Sequence, residues 1–304
     1  MDFAKMHGAG NDFVVVEARG EDRDWGALAA AMADRHFGVG SDGLLLVVPS
    51  DVADLRMRMW NPDGSEAEMC GNGIRCFSKY AIERGMVTLR DGTFTAETGA
   101  GVLEIQPILR DGQVVRARVN MGRPELTPER VPVDPAQRLV PIGAGHATAH
   151  TGSGASARYY NPTDIVFDWP LAVPGHAFAF TGVSMGNPHA VVFLDTPVED
   201  FALEAIGPLV EHHPLFPKRV NFEIVNVVDR THLTARVWER GAGLTLACGS
   251  GACAVAVAAR IHGYTDEQVA VQLPGGTLTM TWDGEGDIFL EGPVELVYEG
   301  RWPD

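Results

Sequence analysis

Residues 69–85 read MCGNGIRCFSKYAIERG, and residues 247–263 read ACGSGACAVAVAARIHG. Each stretch runs from a Cys-Gly-x-Gly turn through a series of helix-compatible residues to a closing glycine, Gly85 or Gly263. The cysteine stands where a helix cap belongs, so the pattern predicts two helices that start at Cys70 and Cys248. On the first, Ile74, Phe77, Ala81 and Ile82 form an apolar stripe, which reads as amphipathic. The second is apolar nearly all round from Ala252 to Ala259, and a helix without a polar face must be buried, here by surrounding sheet.

Other landmarks repeat with the cysteines. GNDFVVV from Gly10 is echoed by GNPHAVVF from Gly186, each a Gly-Asn turn entering a β-branched run. Asn11 precedes Cys70 by 70 − 11 = 59 positions and Asn187 precedes Cys248 by 248 − 187 = 61. Two matched landmarks at nearly equal spacing predict two halves of one ancestral unit, and a pseudo-twofold between them would set the cysteines face to face. Strands are expected at VVRARVNM from Val114, HAVVFL from His189, FEIVNVV from Phe222, LTARVW from Leu233 and VAVQL from Val269. A further helix is expected from Asp24, with Gly38 just past its end. The proline-rich stretch after Met121 marks a domain break. The expected domains are 1–120, completed by the C-terminal strand 290–304, and 121–289, with a surface insertion around 141–180 where Gly, Ala, His and Ser accumulate.

With 45% apolar residues in 304, the chain can bury a substantial core. Its 24 basic against 40 acidic residues, a formal charge of -16, argue against a phosphate-binding surface and hence against nucleic acid as a partner. The N-terminal residues lack the pattern of a signal peptide and no segment is long enough to span a membrane, so a cytoplasmic protein with reduced cysteines is expected. The spacings Cys70 to Cys76 and Cys248 to Cys253 are not those of structural zinc sites, and no metal is expected. GVGSDG from Gly38 matches a dinucleotide fingerprint, but a helix precedes it and a strand follows, the reverse of the arrangement that binds pyrophosphate. GVSMG from Gly182 matches a serine nucleophile elbow, yet leads into strand rather than helix.

A lone buried cysteine ordinarily behaves as a small hydrophobe, and that reading serves for Cys76 and Cys253. For Cys70 and Cys248 the repeated position argues for chemistry. A helix N-terminus lowers a thiol pKa toward neutrality and its N–H groups attract carboxylates. Two such caps converging on one cavity suit an α-amino or α-hydroxy acid: one thiolate removes the α-proton, the opposite thiol returns a proton to the other face, and the stereocentre inverts. Backbone donors at Gly71, Asn72, Gly249 and Ser250 would stabilise the developing carbanion. The only lysines are Lys5, Lys79 and Lys218, none in the setting a pyridoxal phosphate would need, and no cofactor is expected.

The chain also resembles the diaminopimelate epimerase family, through HGAGNDFVVV at His7, NPDGSEAEMCGNGIRC at Asn61, GNPH at Gly186, RVNFE at Arg219, WERGAG at Trp238 and ACGSGACA at Ala247, in order over most of its length. The resemblance implies an α+β fold of two pseudo-symmetric domains, each a β-barrel-like sheet around a central helix, with the active site in the cleft between them. It implies a homodimeric, cofactor-independent isomerase that interconverts L,L- and meso-diaminopimelate for lysine and peptidoglycan synthesis. It assigns Cys70 and Cys248 as the base and acid pair, Glu239 to the substrate ammonium, and Arg240 with Asn61, Asn187 and Asn221 to the distal amino acid head. His189 and Glu239 would adjust the thiols, and Asn11 would line the site.

Two positions depart from the family pattern: Gly43 stands where glutamine is frequent, and Leu244 replaces an acidic residue. The competing readings are a proline or hydroxyproline racemase on the same fold, which typically has histidine where Asn72 stands, and a non-catalytic amino-acid binding protein.

Overall fold

The computed structural model describes residues 1–18, 20, 23–137 and 160–303. They divide into two units, Met1–Asn120 with Leu290–Asp304, and Met121–Phe289.

The first unit carries strands β1 (Asp2–Gly8) and β2 (Asn11–Glu17), helix α1 (Trp25–Ala33), strands β3 (Gly43–Val48), β4 (Leu55–Trp60) and β5 (Glu66–Ala67), helix α2 (Gly71–Glu83), then β6 (Phe94–Thr98), β7 (Gly101–Arg110) and β8 (Gln113–Asn120). The second carries β9 (Trp169–Val173), β10 (His176–Ser184), β11 (Pro188–Phe193), α3 (Leu203–Glu211), β12 (Asn221–Asp229), β13 (His232–Glu239), β14 (Gly243–Thr245), α4 (Gly249–Ile261), β15 (Gln268–Leu273) and β16 (Gly276–Thr281). β17 (Phe289–Pro293) and β18 (Glu295–Arg301) return the chain to the first unit.

Strand pairing shows the duplication more fully than sequence spacing did. In the first unit β1–β2 is antiparallel, β2–β3 parallel, β3–β4 and β4–β5 antiparallel, β4–β6 parallel and β6–β7 antiparallel. The second unit repeats the series as β10–β11, β11–β12, β12–β13, β13–β14, β13–β15 and β15–β16, with the same orientation at each step. In the first unit β18 pairs with β1 and β17 with β8, and these two strands follow one another across Val294, so the sheet closes into a ring. Helix α2 packs inside against β1, β2, β3, β7 and β8, and in the second unit α4 packs against β10 to β13, β15 and β16.

This enclosure accounts for the near-continuous apolar strands. Val14, Val15 and Val16 of β2 and Leu44, Leu45 and Leu46 of β3 are all buried, because one face meets α2 and the other joins Trp25, Ala29 and Met32 of α1.

Three expectations need correcting. Helix α2 is not amphipathic in its surroundings: Asn72, Arg75, Ser78 and Lys79 are as buried as the apolar stripe. The charged residues among them are satisfied internally, Lys79 by Glu83 at 2.6 Å and by the Val114 carbonyl at 2.8 Å. Helix α1 ends at Ala33 rather than near Gly38, because the Asp34 carboxylate captures the amides of His36 and Phe37 at 2.7 and 2.8 Å and turns the chain. Of the expected insertion around 141–180, residues 141–159 lie outside the described residues. In the part described, Ile165, Val166, Trp169, Leu171, Val173 and Phe180 are buried, and Val166, Trp169, Leu171 and Phe180 pack beside Phe222 and Ile224.

Candidate active site

Both cysteines cap their helices. Cys70 has extended backbone angles, φ −141 and ψ 121, and its Sγ accepts from the Gly73 amide at 3.4 Å. Cys248, with φ −118 and ψ 117, accepts from the Gly251 amide at the same 3.4 Å. In each case the sulfur takes the place of a serine or aspartate oxygen, satisfying an amide that the helix leaves without a partner.

What lies behind each cap differs. In the first unit the Cys70 thiol donates to Asn11 Oδ1 at 3.5 Å, an oxygen that also accepts from Asn72 Nδ2 at 3.1 Å. Charges at both ends of this amide pair dictate its orientation. The Arg75 guanidinium donates to Asn72 Oδ1 at 2.8 Å, and Asp42 accepts from Asn11 Nδ2 at 2.7 Å. Arg75 is fully buried and also donates to the carbonyls of Gly71 and Pro293, at 3.0 and 3.1 Å. Asp42 belongs to a wider ionic group in which Arg35 bonds both Asp12 and Asp42 at 2.8 Å and Lys5 bonds Asp12. Burial works to raise the Asp12 carboxyl, but the hydrogen bonds from Arg35 and Lys5 outweigh it and bring it down to about 2. Burial raises that of Asp42.

In the second unit, Cys248 Sγ lies 3.5 Å from Ser250 Oγ, which accepts from Asn187 Nδ2 at 3.3 Å. Asn187 Oδ1 is 3.0 Å from His189 Nε2, and His189 Nδ1 is 2.7 Å from Glu223 Oε1. His189 and Glu223 are both fully buried. The thiol of Cys248 is pushed well above its usual value, first by burial and then by the carboxylates of Glu239 and Glu223, while the Ser250 and Gly251 hydrogen bonds pull the other way. The expectation that a cap position lowers the thiol therefore fails at Cys248, because the helix end sits in an acidic, water-poor setting. Burial pushes Cys76 up to about 12, consistent with an inert core residue.

The remaining expected site residues fall into smaller groups. Asn221 Oδ1 accepts from the Arg240 amide at 2.9 Å and its Nδ2 donates to the Pro188 carbonyl at 2.9 Å, so this side chain ties the β13 turn to the start of β11. Glu239 Oε1 accepts from Thr245 at 2.5 Å, and Arg240 Nη1 donates to the Lys218 carbonyl at 3.2 Å. Asn61 bonds Ser65 and Gly64 within its own turn. Gly71, Asn72, Gly249 and Ser250 form the first turns of α2 and α4.

Gly43 has a local reason: a Cβ there would lie 2.7 Å from the Trp60 carbonyl across the β3–β4 pair. Leu244 is half exposed on β14. The residue pattern did not single out Arg75, Asp42 or Glu223. A charge inside an apolar run was the available signal for Arg75 and for Glu223, which interrupts Phe222, Ile224 and Val225.

The twice-repeated sheet around a cysteine-capped helix places the chain in a fold shared by several solved structures. A phenazine biosynthesis protein of the PhzF family from Bacillus anthracis matches with a TM-score of 0.64 and 18% identity, over 99% of this chain and 98% of that one. A hydroxyproline epimerase from Agrobacterium vitis matches with a TM-score of 0.65 and 13% identity, over 99% and 90%. Sequence narrows the class. The family model for diaminopimelate epimerase matches residues 3–127 and 181–297. Diaminopimelate epimerases from Desulfovibrio desulfuricans and Acetivibrio thermocellus are 45% and 44% identical, each over 99% of this chain and 97% or 98% of their own length. One from Methanococcus maripaludis is 42% identical over 99% of both. The chain belongs to the diaminopimelate epimerase family and is an isomerase of the epimerase class, acting on a small amino-acid-like substrate. Among the described residues no helix is long and apolar enough to cross a membrane.

Proposed function

We propose that the protein interconverts L,L- and meso-diaminopimelate without a cofactor, using Cys70 and Cys248 as a thiolate base and a thiol acid on opposite faces of one α-carbon. The observation that carries this reading is the equivalence of the two caps: each sulfur accepts the amide three residues on, each within an amide network built from the Asn of a Gly-Asn turn. Thiols held this way keep their reacting atom at a helix N-terminus, where the first-turn amides can receive a substrate carboxylate. Asn11, Asn72 and Ser250 would orient the reacting end. Glu239 would take its ammonium, and Arg240 with Asn61, Asn187 and Asn221 would hold the distal amino acid head. Family membership supports lysine and peptidoglycan precursor synthesis as the setting, in a cytoplasmic homodimer.

The test is proton NMR in D2O of reduced enzyme with no added cofactor, offered L,L-diaminopimelate and, separately, L-proline. Deuterium at the α-carbon of diaminopimelate with the meso isomer accumulating is the expected result. Exchange on proline alone would transfer the assignment to a proline racemase, and exchange on neither would leave a binding protein.

A further inference from the structure

Glu223 lies in an apolar strand behind Cys248 and is fully buried. Its Oε1 is bonded to His189 Nδ1, whereas Oε2 is buried with no hydrogen-bond partner. The other end of the imidazole meets Asn187 Oδ1. An amide oxygen only accepts, so His189 must carry a proton on Nε2. The short contact to Glu223 then needs a second proton, lying between Nδ1 and Oε1. A bare carboxylate with one oxygen unpartnered in the interior is far more costly than a neutral acid, which favours keeping this second proton in the pair. Gly251 leaves room for the arrangement: a Cβ there would stand 2.9 Å from Glu223 Oε1.

We infer that Glu223 is a positioning residue: by holding a proton in common with His189 it fixes the Nε2–H tautomer, and through it the orientation of Asn187, Ser250 and the Cys248 sulfur. Asn187 accepts from His189 with its oxygen and donates with its nitrogen to Ser250, so the hydroxyl proton of Ser250 is left for the sulfur. Without Glu223, His189 can take the other tautomer. Asn187 would then turn over, its oxygen would claim the Ser250 proton, and the sulfur would lose a donor. The catalytic part of this inference rests on the two-thiol reading; the tautomer does not.

The experiment labels histidine with 15N and reads the protonation of His189 by long-range 1H–15N correlation, with His189→Asn identifying the signal. The expected spectrum shows a proton on Nε2 in the parent and in Glu223→Gln, whose amide can donate to Nδ1, and loss of that state in Glu223→Leu. Turnover should follow: Glu223→Leu falls about 10- to 100-fold in kcat, as for a lost buried hydrogen bond, while Glu223→Gln recovers most of it. His189 protonated on Nδ1 alone in the parent overturns the inference, and so does a Glu223→Leu protein that keeps both Nε2–H and parental kcat. If Glu223→Leu does not fold, the parent and Glu223→Gln spectra still decide. Failure of the function reading would appear as absence of α-proton exchange in the parent, with the tautomer measured independently.

Discussion

Behind the Cys70 cap sits a buried cation, and behind the Cys248 cap a buried acid paired with an imidazole. Sheet order, cap geometry and the amide that bonds each sulfur are the same in the two units, yet these inner residues are of opposite kind. Arg75 reaches Asn11 through Asn72, and Glu223 reaches Asn187 through His189. The partners of the two sulfurs differ accordingly. Asn11 Oδ1 can only accept, which holds Cys70 with its S–H on that oxygen, while Ser250 can donate to Cys248. Duplication of a scaffold thus does not duplicate the chemistry: the inner charges can diverge while the outer geometry stays fixed, since each is enclosed in its own sheet.

The largest effect should come from removing either sulfur. Cys70→Ala and Cys248→Ala should each lower inversion by about 10²- to 10⁴-fold, the range for loss of a positioned acid or base. Cys76→Ala should leave kcat close to the parent value, measured by coupled assay or circular dichroism. A loss confined to one thiol variant would break the proposed symmetry of roles.

Replacing the inner cation comes next. Arg75→Met leaves the Gly71 and Pro293 carbonyls and Asn72 without their donor, and thermal or urea unfolding should show a loss of about 3 kcal/mol or more. Restoration by Arg75→Lys would be partial, because an ammonium cannot reproduce the planar fork.

The glycines beside the inner charges offer a paired test. A Cβ on Gly8 would stand 2.8 Å from Arg75 Nη2, much as one on Gly251 would meet Glu223 Oε1 at 2.9 Å. Gly8→Ala and Gly251→Ala should each cost about 1–3 kcal/mol through overpacking. Equal stability of the Gly8→Ala protein and its parent would show that the guanidinium can move aside.

The smallest effect is one of pH, and it separates the units. Burial holds His262 of the second unit down to about 4, so its neutral form is the folded one. The unfolded chain binds that proton first; the contribution is complete above about pH 6.5 and is lost as pH falls through 6.5 toward 4. Asp12 of the first unit, brought down to about 2, contributes above about pH 4 and loses that contribution only below it. Hydrogen exchange at pH 7 and pH 5 should show less acid destabilisation in His262→Gln than in the parent. Asp12→Asn should leave this interval unchanged and differ only near pH 3.

Much of this was legible beforehand. The Cys-Gly-x-Gly starts, the Gly-Asn echo and the apolar α4 are local patterns, and they announce two capped helices, a duplicated unit and a helix that must be enclosed. The five strands expected from Val114, His189, Phe222, Leu233 and Val269 all form. The end of α1 was not legible, because it depends on one aspartate side chain outcompeting the helix for two amides. Nor was the core role of residues 165–180, whose composition resembles a loop until Trp169 and Phe180 find their partners across β9 and β10.

By itself the sequence determined where the helices begin, which cysteines cap them and to which family the motifs point, since capping and apolar periodicity act over a few residues. Only the tertiary structure decided that Arg75 and Glu223 lie behind the caps, that the Cys248 thiol is raised rather than lowered, and that Asn221 bonds the Arg240 amide and the Pro188 carbonyl. Those outcomes depend on burial and on hydrogen-bond partners from β11, β12, β13 and β17, distant along the chain. A buried charge takes its meaning from whatever encloses it.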